Sequence, residues 1–185
     1  MRRECDRQVL QLEPYMCPQL SYSISTVLPR DRVWELFAEI ENWPKVSDVY
    51  NDLRWSGFPW RPRSCIVGSI HYPHPLPLRY VIEACEPGAL VTYLAHGTEG
   101  GFATHRTIRF EQRQGRTWIE VDSYAAGEPT FAIAGGSYGF LKMLTERWFP
   151  HFARFCDSRA YDLGKAPPHS FRMIHSDGLR QFKTR

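Results

Sequence analysis

The sequence predicts an α+β domain: a curved antiparallel sheet of about six to seven strands around one long C-terminal helix, with two short helices after the first strand. Three observations point there. Residues 19–28 alternate apolar and polar side chains, the period of two that marks a half-buried strand. Residues 49–127 are a succession of short β-like runs parted by turn signals, the pattern of an antiparallel meander. Residues 137–160 repeat apolar side chains at steps of three and four, as an amphipathic helix does. Such a sheet needs its apolar face covered, and the long helix is the available cover.

The elements follow in order. In the first strand Leu20, Tyr22, Ile24, Thr26 and Leu28 share one face, and Ser21, Ser23 and Ser25 the other. Pro29 ends it. A helix begins at Arg30-Asp31, with Val33, Trp34, Phe37 and Ile40 at helical spacing. Asn42 serves as its stop. Trp43-Pro44 forbids continuation, because proline clashes with the preceding turn. The residues from Pro44 suit a short second helix, since proline is favoured in a first helical turn. The run 49–55 places Val49, Asn51, Leu53 and Trp55 on one face. Residues 57–63 form a proline-rich loop, 64–72 a strand, and 73–77 (PHPLP) a turn. Strands follow at 78–86, 89–98, 102–112 and 117–127, and 128–136 reads as a loop. In the long helix Phe140, Leu141, Leu144, Trp148, Phe152, Phe155 and Cys156 form the apolar stripe, and Pro150 predicts a kink. Residues 1–18 read as an N-terminal arm, 19–160 as the domain, and 161–185 as a flexible polar tail.

Composition narrows the function classes. A chain of 185 residues suits one domain, and 43% hydrophobic content supports a sizeable core. The net charge of +3 comes from scattered Lys and Arg, so no nucleic-acid partner is expected. The five cysteines are odd in number and widely spaced, which argues against a disulfide framework or a zinc site and for reduced thiols in the cytoplasm. No apolar stretch after Met1 reads as a signal peptide, and no run approaches the roughly 20 residues of an integral membrane segment. His71 and His74 lack a third ligand nearby, so no metal is expected. No phosphate loop, GxSxG or catalytic Cys/His spacing occurs, and no cofactor is expected.

Strand parity picks out candidate site residues. Phe102, Thr104, Arg106, Ile108 and Phe110 share the apolar face, which makes Arg106 its lone charge. A charge facing a dry interior is costly unless paired or wet. Arg106 therefore reads as an anchor for a carboxylate, enolate or phosphate, or as a charge that reaches water or a structural acid. Ser123 shares a face with Ile119 and Val121, and Tyr80 with Leu78, Ile82 and Ala84. Asn51 and Trp55 share the inner face with Leu53. The run 89–95 is apolar on both faces, so parity leaves Tyr93 unassigned.

The segments "PRDRVWELFAEIENWPKVSDV", "VIEACEPGALVTY" and "HRTIRFEQRQGRTWIEV" resemble those of the START/SRPBCC superfamily, whose fold is the helix grip. Its members include birch-pollen-allergen-like proteins, lipid-transfer START domains and the polyketide cyclase/dehydrase family. The resemblance covers about residues 20–158. In the third segment Arg116 intervenes where the family usually has a Gly-Thr turn. The resemblance implies a cavity between sheet and long helix that binds a hydrophobic small molecule: a lipid, isoprenoid or polyketide-like compound. Asn51, Trp55, Tyr80, Arg106 and Ser123 are its lining candidates by parity, and Phe131, Tyr138 and Leu141 by family geometry. A polyketide cyclase/dehydratase is the alternative function. It needs an acid–base pair on the ligand. His105, Arg106, Tyr80 and Asp122 are the residues to weigh for that, though parity sets His105 and Asp122 on the wrong face. An interaction or assembly protein with a protein partner is the second alternative, favoured if Trp118 and Tyr124 form an exposed apolar patch.

Overall fold

The computed structural model describes residues 20–72, 74–96, 103–126 and 136–162. The N-terminal arm, Phe131 and all of the expected tail beyond Asp162 lie outside the described residues. Strand β1 (Leu20–Thr26) leads to helix α1 (Arg30–Ala38), a 3₁₀ turn (Ile40–Asn42) and helix α2 (Trp43–Val46). Six strands follow: β2 (Tyr50–Ser56), β3 (Cys65–Tyr72), β4 (His74–Glu86), β5 (Leu90–His96), β6 (Ala103–Arg113) and β7 (Arg116–Ala126). Helix α3 (Gly136–Asp162) completes the order, with Pro150 inside it. The strands form one antiparallel sheet in the order β1-β7-β6-β5-β4-β3-β2. This is the helix-grip architecture that the sequence predicts.

Helix α1 stops earlier than the sequence suggests, at Ala38 rather than Asn42, with Glu39 leaving helical geometry at ψ 89°. The reason is a set of side-chain caps on its last carbonyls. Asn42 Nδ2 donates to Leu36 O (3.3 Å), Trp43 Nε1 to Phe37 O (2.8 Å) and Trp60 Nε1 to Ala38 O (2.9 Å). These carbonyls have no helical partner of their own and must find one elsewhere. Trp43 thus caps one helix while starting the next, and Pro44 sits in the first turn of α2.

Two bulges and one proline-rich strand depart from simple parity. In β2 the pairing with β3 shifts between Asn51 and Arg54, and Asp52 has φ 53°. The bulge reverses the alternation. Tyr50, opposite Ile70, takes the inner position, and Asn51 moves to the other face. The inward assignment of Asn51 is corrected for that reason. The bulge also lays Leu53 and the Asn51 carbonyl over Gly68, where a Cβ would lie 2.7 and 2.8 Å from them. Gly68 is there because the backbones approach that closely. In β4 a second shift between Ile82 and Ala84 leaves Ala84 exposed and puts Cys85 opposite the buried Val91. Residues 74–77, read as a turn, are strand: Tyr72 pairs with His74, and Pro75 and Pro77 lie opposite His71 and Ser69. Described pairing of β4 to β5 begins at Arg79.

The β6–β7 hairpin explains Arg116. Gln114 (φ 50°) and Gly115 (φ 75°) form a two-residue turn with both residues left-handed, and Arg113 pairs with Arg116. Arg116 is simply the first residue of β7.

The core is not uniform along the sheet. The end that carries α1 and the β2–β3 loop is packed with rings. Phe37 lies 5.1 to 6.2 Å, centroid to centroid, from Trp34, Trp43, Trp60, Phe110, Trp148 and Phe152. Trp148 stacks on Phe152 at 4.9 Å. At the same end Asp157 of α3 accepts hydrogen bonds from Thr26 Oγ1 (2.5 Å) and Val27 N (2.9 Å), which ties the helix to β1.

Candidate functional site: a buried arginine among hydroxyls

Arg106 lies midway along β6, on the inner face, and is 2% exposed. Its cross-strand neighbours are Tyr93 on β5 and Ser123 on β7. The guanidinium Nε donates to Ser123 Oγ at 2.9 Å, and Nη2 donates to Thr145 Oγ1 on α3 at 3.0 Å. The Tyr93 side chain, opposite it on β5, adds a favourable electrostatic interaction. Among the described residues no carboxylate lies within ion-pair distance. The charge is therefore surrounded by neutral hydroxyls.

A second layer of phenols stands beside it. Tyr80 and Tyr93 lie ring to ring at 4.5 Å, and the Tyr50 and Tyr80 hydroxyls are 3.2 Å apart. All three rings are buried. Burial pushes their hydroxyls above the ordinary tyrosine range, and the Arg106 charge pulls each back in part. For Arg106 burial opposes the charge, while Tyr93 first and then Tyr50 and Tyr80 favour it; the net direction is upward. At neutral pH the phenols are protonated, so what they offer Arg106 is dipoles rather than counter-charge. An arginine side chain stays protonated under these conditions. The result is a preformed cluster of one cation and several O–H groups, suited chemically to an oxyanion.

These tyrosines give a pH prediction. A tyrosine with a raised folded pKa stabilises the fold fully below the unfolded value near 10 and loses that contribution as pH rises toward the folded value. Unfolding free energy should therefore fall above about pH 10. A tyrosinate absorbance titration should show Tyr50, Tyr80 and Tyr93 ionising later than free tyrosine. A late-ionising class smaller by two tyrosines in a Tyr93→Phe, Tyr80→Phe double variant would confirm the assignment; an unchanged profile would refute it.

Of the residues singled out in the sequence, Arg106 and Ser123 are brought into direct contact, and Tyr80 joins them through the other tyrosines. Leu141 is buried one helical turn before Thr145. Trp55 does not reach this cluster: it packs edge-on against Trp60 at 4.9 Å, in the ring-filled end. Asn51 lies on the opposite face of β2. Tyr138 falls in the first turn of α3 with its side chain outside the described set, and Phe131 is not described. Tyr50, Tyr93 and Thr145 were not among the candidates. Thr145 carried a signal, being a polar residue inside the apolar stripe of the long helix. The β2 bulge concealed Tyr50, and the two-sided apolar character of β5 concealed Tyr93.

The outer face differs in kind. His105 Nε2 lies 2.7 Å from Glu83 Oε2. Arg109 Nη1 lies 2.6 Å from Asp122 Oδ2, whose other oxygen accepts from Ser21. His105 and Asp122 thus sit away from Arg106, as parity expects. An open pocket of about 410 Å³ lies where the Ala89 turn meets α1, lined by Arg30, Glu86, Leu90, Arg109, Glu111 and Gln112. It contains none of the candidate residues. Among the described residues no trio of His, Cys, Asp or Glu could hold a metal ion, and no helix is long and apolar enough to cross a membrane.

No family model matches the sequence, and no curated protein matches it. Solved structures do match. Ara h 8.0201 superposes with TM-score 0.62 at 13% identity, covering 76% of this chain and 98% of that one. The di-domain ARO/CYC StfQ from the steffimycin biosynthetic pathway gives 0.63 at 13%, covering 80% of this chain and 52% of that one. Norcoclaurine synthase from Thalictrum flavum gives 0.58 at 10%, covering 78% of this chain and 87% of that one. At such identities the likeness is one of fold.

Proposed function

We propose, from a helix-grip fold shared with proteins as different as Ara h 8.0201, an ARO/CYC protein and norcoclaurine synthase, that the chain binds a hydrophobic small molecule between sheet and α3. An oxyanion of that molecule, a carboxylate or enolate, would sit against Arg106. The molecule would be lipid, isoprenoid or polyketide-like. The observation that carries this reading is a fully buried guanidinium whose described partners are all hydroxyls. Burying a charge without a counter-charge is costly, and a ligand oxyanion would remove that cost. Tyr80, Tyr93 and Leu141 would supply the apolar wall, in keeping with ligand sites that are mostly apolar with a few placed polar groups.

Binding is favoured over catalysis by the character of the inner titratable groups. Those described around Arg106 are tyrosines held protonated by burial, which are poor general bases at neutral pH. The assembly reading has less support. Tyr124 is exposed, but Trp118, six residues away along β7, is half-buried.

Native mass spectrometry of the freshly purified protein tests the proposal. A stoichiometric adduct of a few hundred daltons, released as an acidic amphiphile on denaturation, is the expected result. The absence of an adduct, together with no thermal shift across fatty acids and aromatic polyketides, would reject it.

A further inference from the structure

Between Arg54 and Arg79 the sequence carries four arginines and two histidines, and no aspartate or glutamate. The whole chain has a net charge of +3, so the residues outside this stretch sum to −1. The stretch is also compact in space. It runs from the second half of β2, the edge strand, through the β2–β3 loop and β3 to the first half of β4; Asp52, earlier on β2, is the acid just before it, and the loop itself carries Arg61 and Arg63 with no acid.

The β2–β3 loop at this margin presents Phe58, 82% exposed, well beyond Tyr161, Tyr124 and Leu76 at 47, 44 and 42%. The loop is not slack. Arg61 N donates to Phe58 O (3.3 Å), Ser64 N to Arg61 O (3.0 Å) and Arg63 N to Ile82 O (2.8 Å). Trp60 is pinned through its indole to Ala38 O and packs against Trp34, Phe37 and Trp55. Trp60 (φ 56°) and Arg63 (φ 71°) both hold left-handed backbone, which is unfavourable for such side chains and persists only where the surroundings enforce it. The packing that fixes the half-buried Trp60 therefore also holds Phe58 outward. Arg54, Arg61 and Arg63 are exposed, and among the described residues their side chains make no ion pair or hydrogen bond.

We propose that this loop docks the protein on an anionic phospholipid surface, with Phe58 entering the interface and Arg54, Arg61 and Arg63 meeting lipid phosphates. An apolar tip ringed by unpaired guanidinium groups matches a layer that is negative outside and apolar beneath. The inference stands apart from the reading of Arg106: it uses other residues, on the edge of the sheet rather than inside it.

The test is co-sedimentation of the full chain with phosphatidylcholine vesicles with and without phosphatidylserine. Binding is expected only to the mixed vesicles and should weaken as salt rises. Phe58→Ser should lower affinity about tenfold, the scale of burying one aromatic side chain. Arg61→Gln and Arg63→Gln should each lower it about fivefold. Tyr124→Ser, an exposed aromatic elsewhere, should leave it unchanged. Since these side chains are exposed, the variants should fold, and a native circular dichroism spectrum would verify it. Absence of binding to the mixed vesicles, or binding indifferent to Phe58→Ser, would overturn the proposal. So would tight binding of a single-stranded oligonucleotide that displaces vesicles and ignores Phe58. Arg106→Met should retain vesicle binding, so failure of the ligand reading would be visible separately.

Discussion

Replacing Arg106 with methionine is expected to leave the empty protein as stable as before, or more stable, while removing its hold on an anionic ligand. The two effects share one cause. A buried guanidinium loses its hydration; its hydrogen-bond partners Ser123 and Thr145 return dipoles only, as does the protonated phenol of Tyr93 beside it. Exchanging buried charged groups for apolar side chains of similar volume is often neutral or stabilising by about 1–4 kcal/mol. Methionine approximates the length of the stem and adapts to the space. Thr145 can turn its hydroxyl back to a carbonyl of its own helix. Denaturant unfolding of both proteins measures the first effect. Binding of a long-chain carboxylic acid and its methyl ester measures the second. The acid should weaken about 10- to 100-fold, the scale of a charge-assisted hydrogen bond, and the ester far less. Arg106→Ala should discriminate in the same direction. Equal loss for acid and ester would end the anchoring role. A loss of more than about 3 kcal/mol in stability for Arg106→Met would mark the arginine as a structural tie instead.

Phe37→Ala is expected to destabilise the protein by about 3–5 kcal/mol, enough to threaten folding in a domain of ordinary stability. Phe37 is at the centre of the ring-packed end, touching six aromatic side chains from α1, α2, β6, α3 and the β2–β3 loop. Truncation leaves a cavity that rigid rings cannot fill by small shifts. Phe37→Leu, which retains most of the volume, should cost less than half as much. A guanidinium denaturation midpoint measures both. A loss under about 1 kcal/mol for Phe37→Ala would show that this end repacks easily, against the description of it as a filled plug.

How much of this was legible in the sequence follows from the period of each element. Strand β6 alternates without interruption, so Arg106 could be assigned inward from residues 102–110 alone, and Ser123 likewise on β7. Alternation cannot report its own interruption. Asn51 and Ala84 were placed on the wrong face because each lies at a bulge, and an inserted residue has no signature in hydrophobicity. Pro75 and Pro77 suggested a turn because proline is rare inside a strand, yet both pair with β3. The early end of α1 depended on Trp60, a cap supplied from 22 residues away. The candidate site at Arg106 was half legible: the cation and two hydroxyls, Ser123 and Tyr80, came from parity, while Tyr93, Tyr50 and Thr145 needed three-dimensional neighbours.

The tie between Asp157 and the end of β1 has a kinetic consequence. Strands β2 to β7 pair each with the next in the chain, so they can zip up through local hairpins. Strand β1 cannot: Ser21 meets Asp122, 101 residues away, and Thr26 meets Asp157, 131 residues away. Closing loops of that length costs entropy before any contact repays it. The meander should therefore form before β1 is captured, and the β1 contacts to β7 and Asp157 should be the last to close.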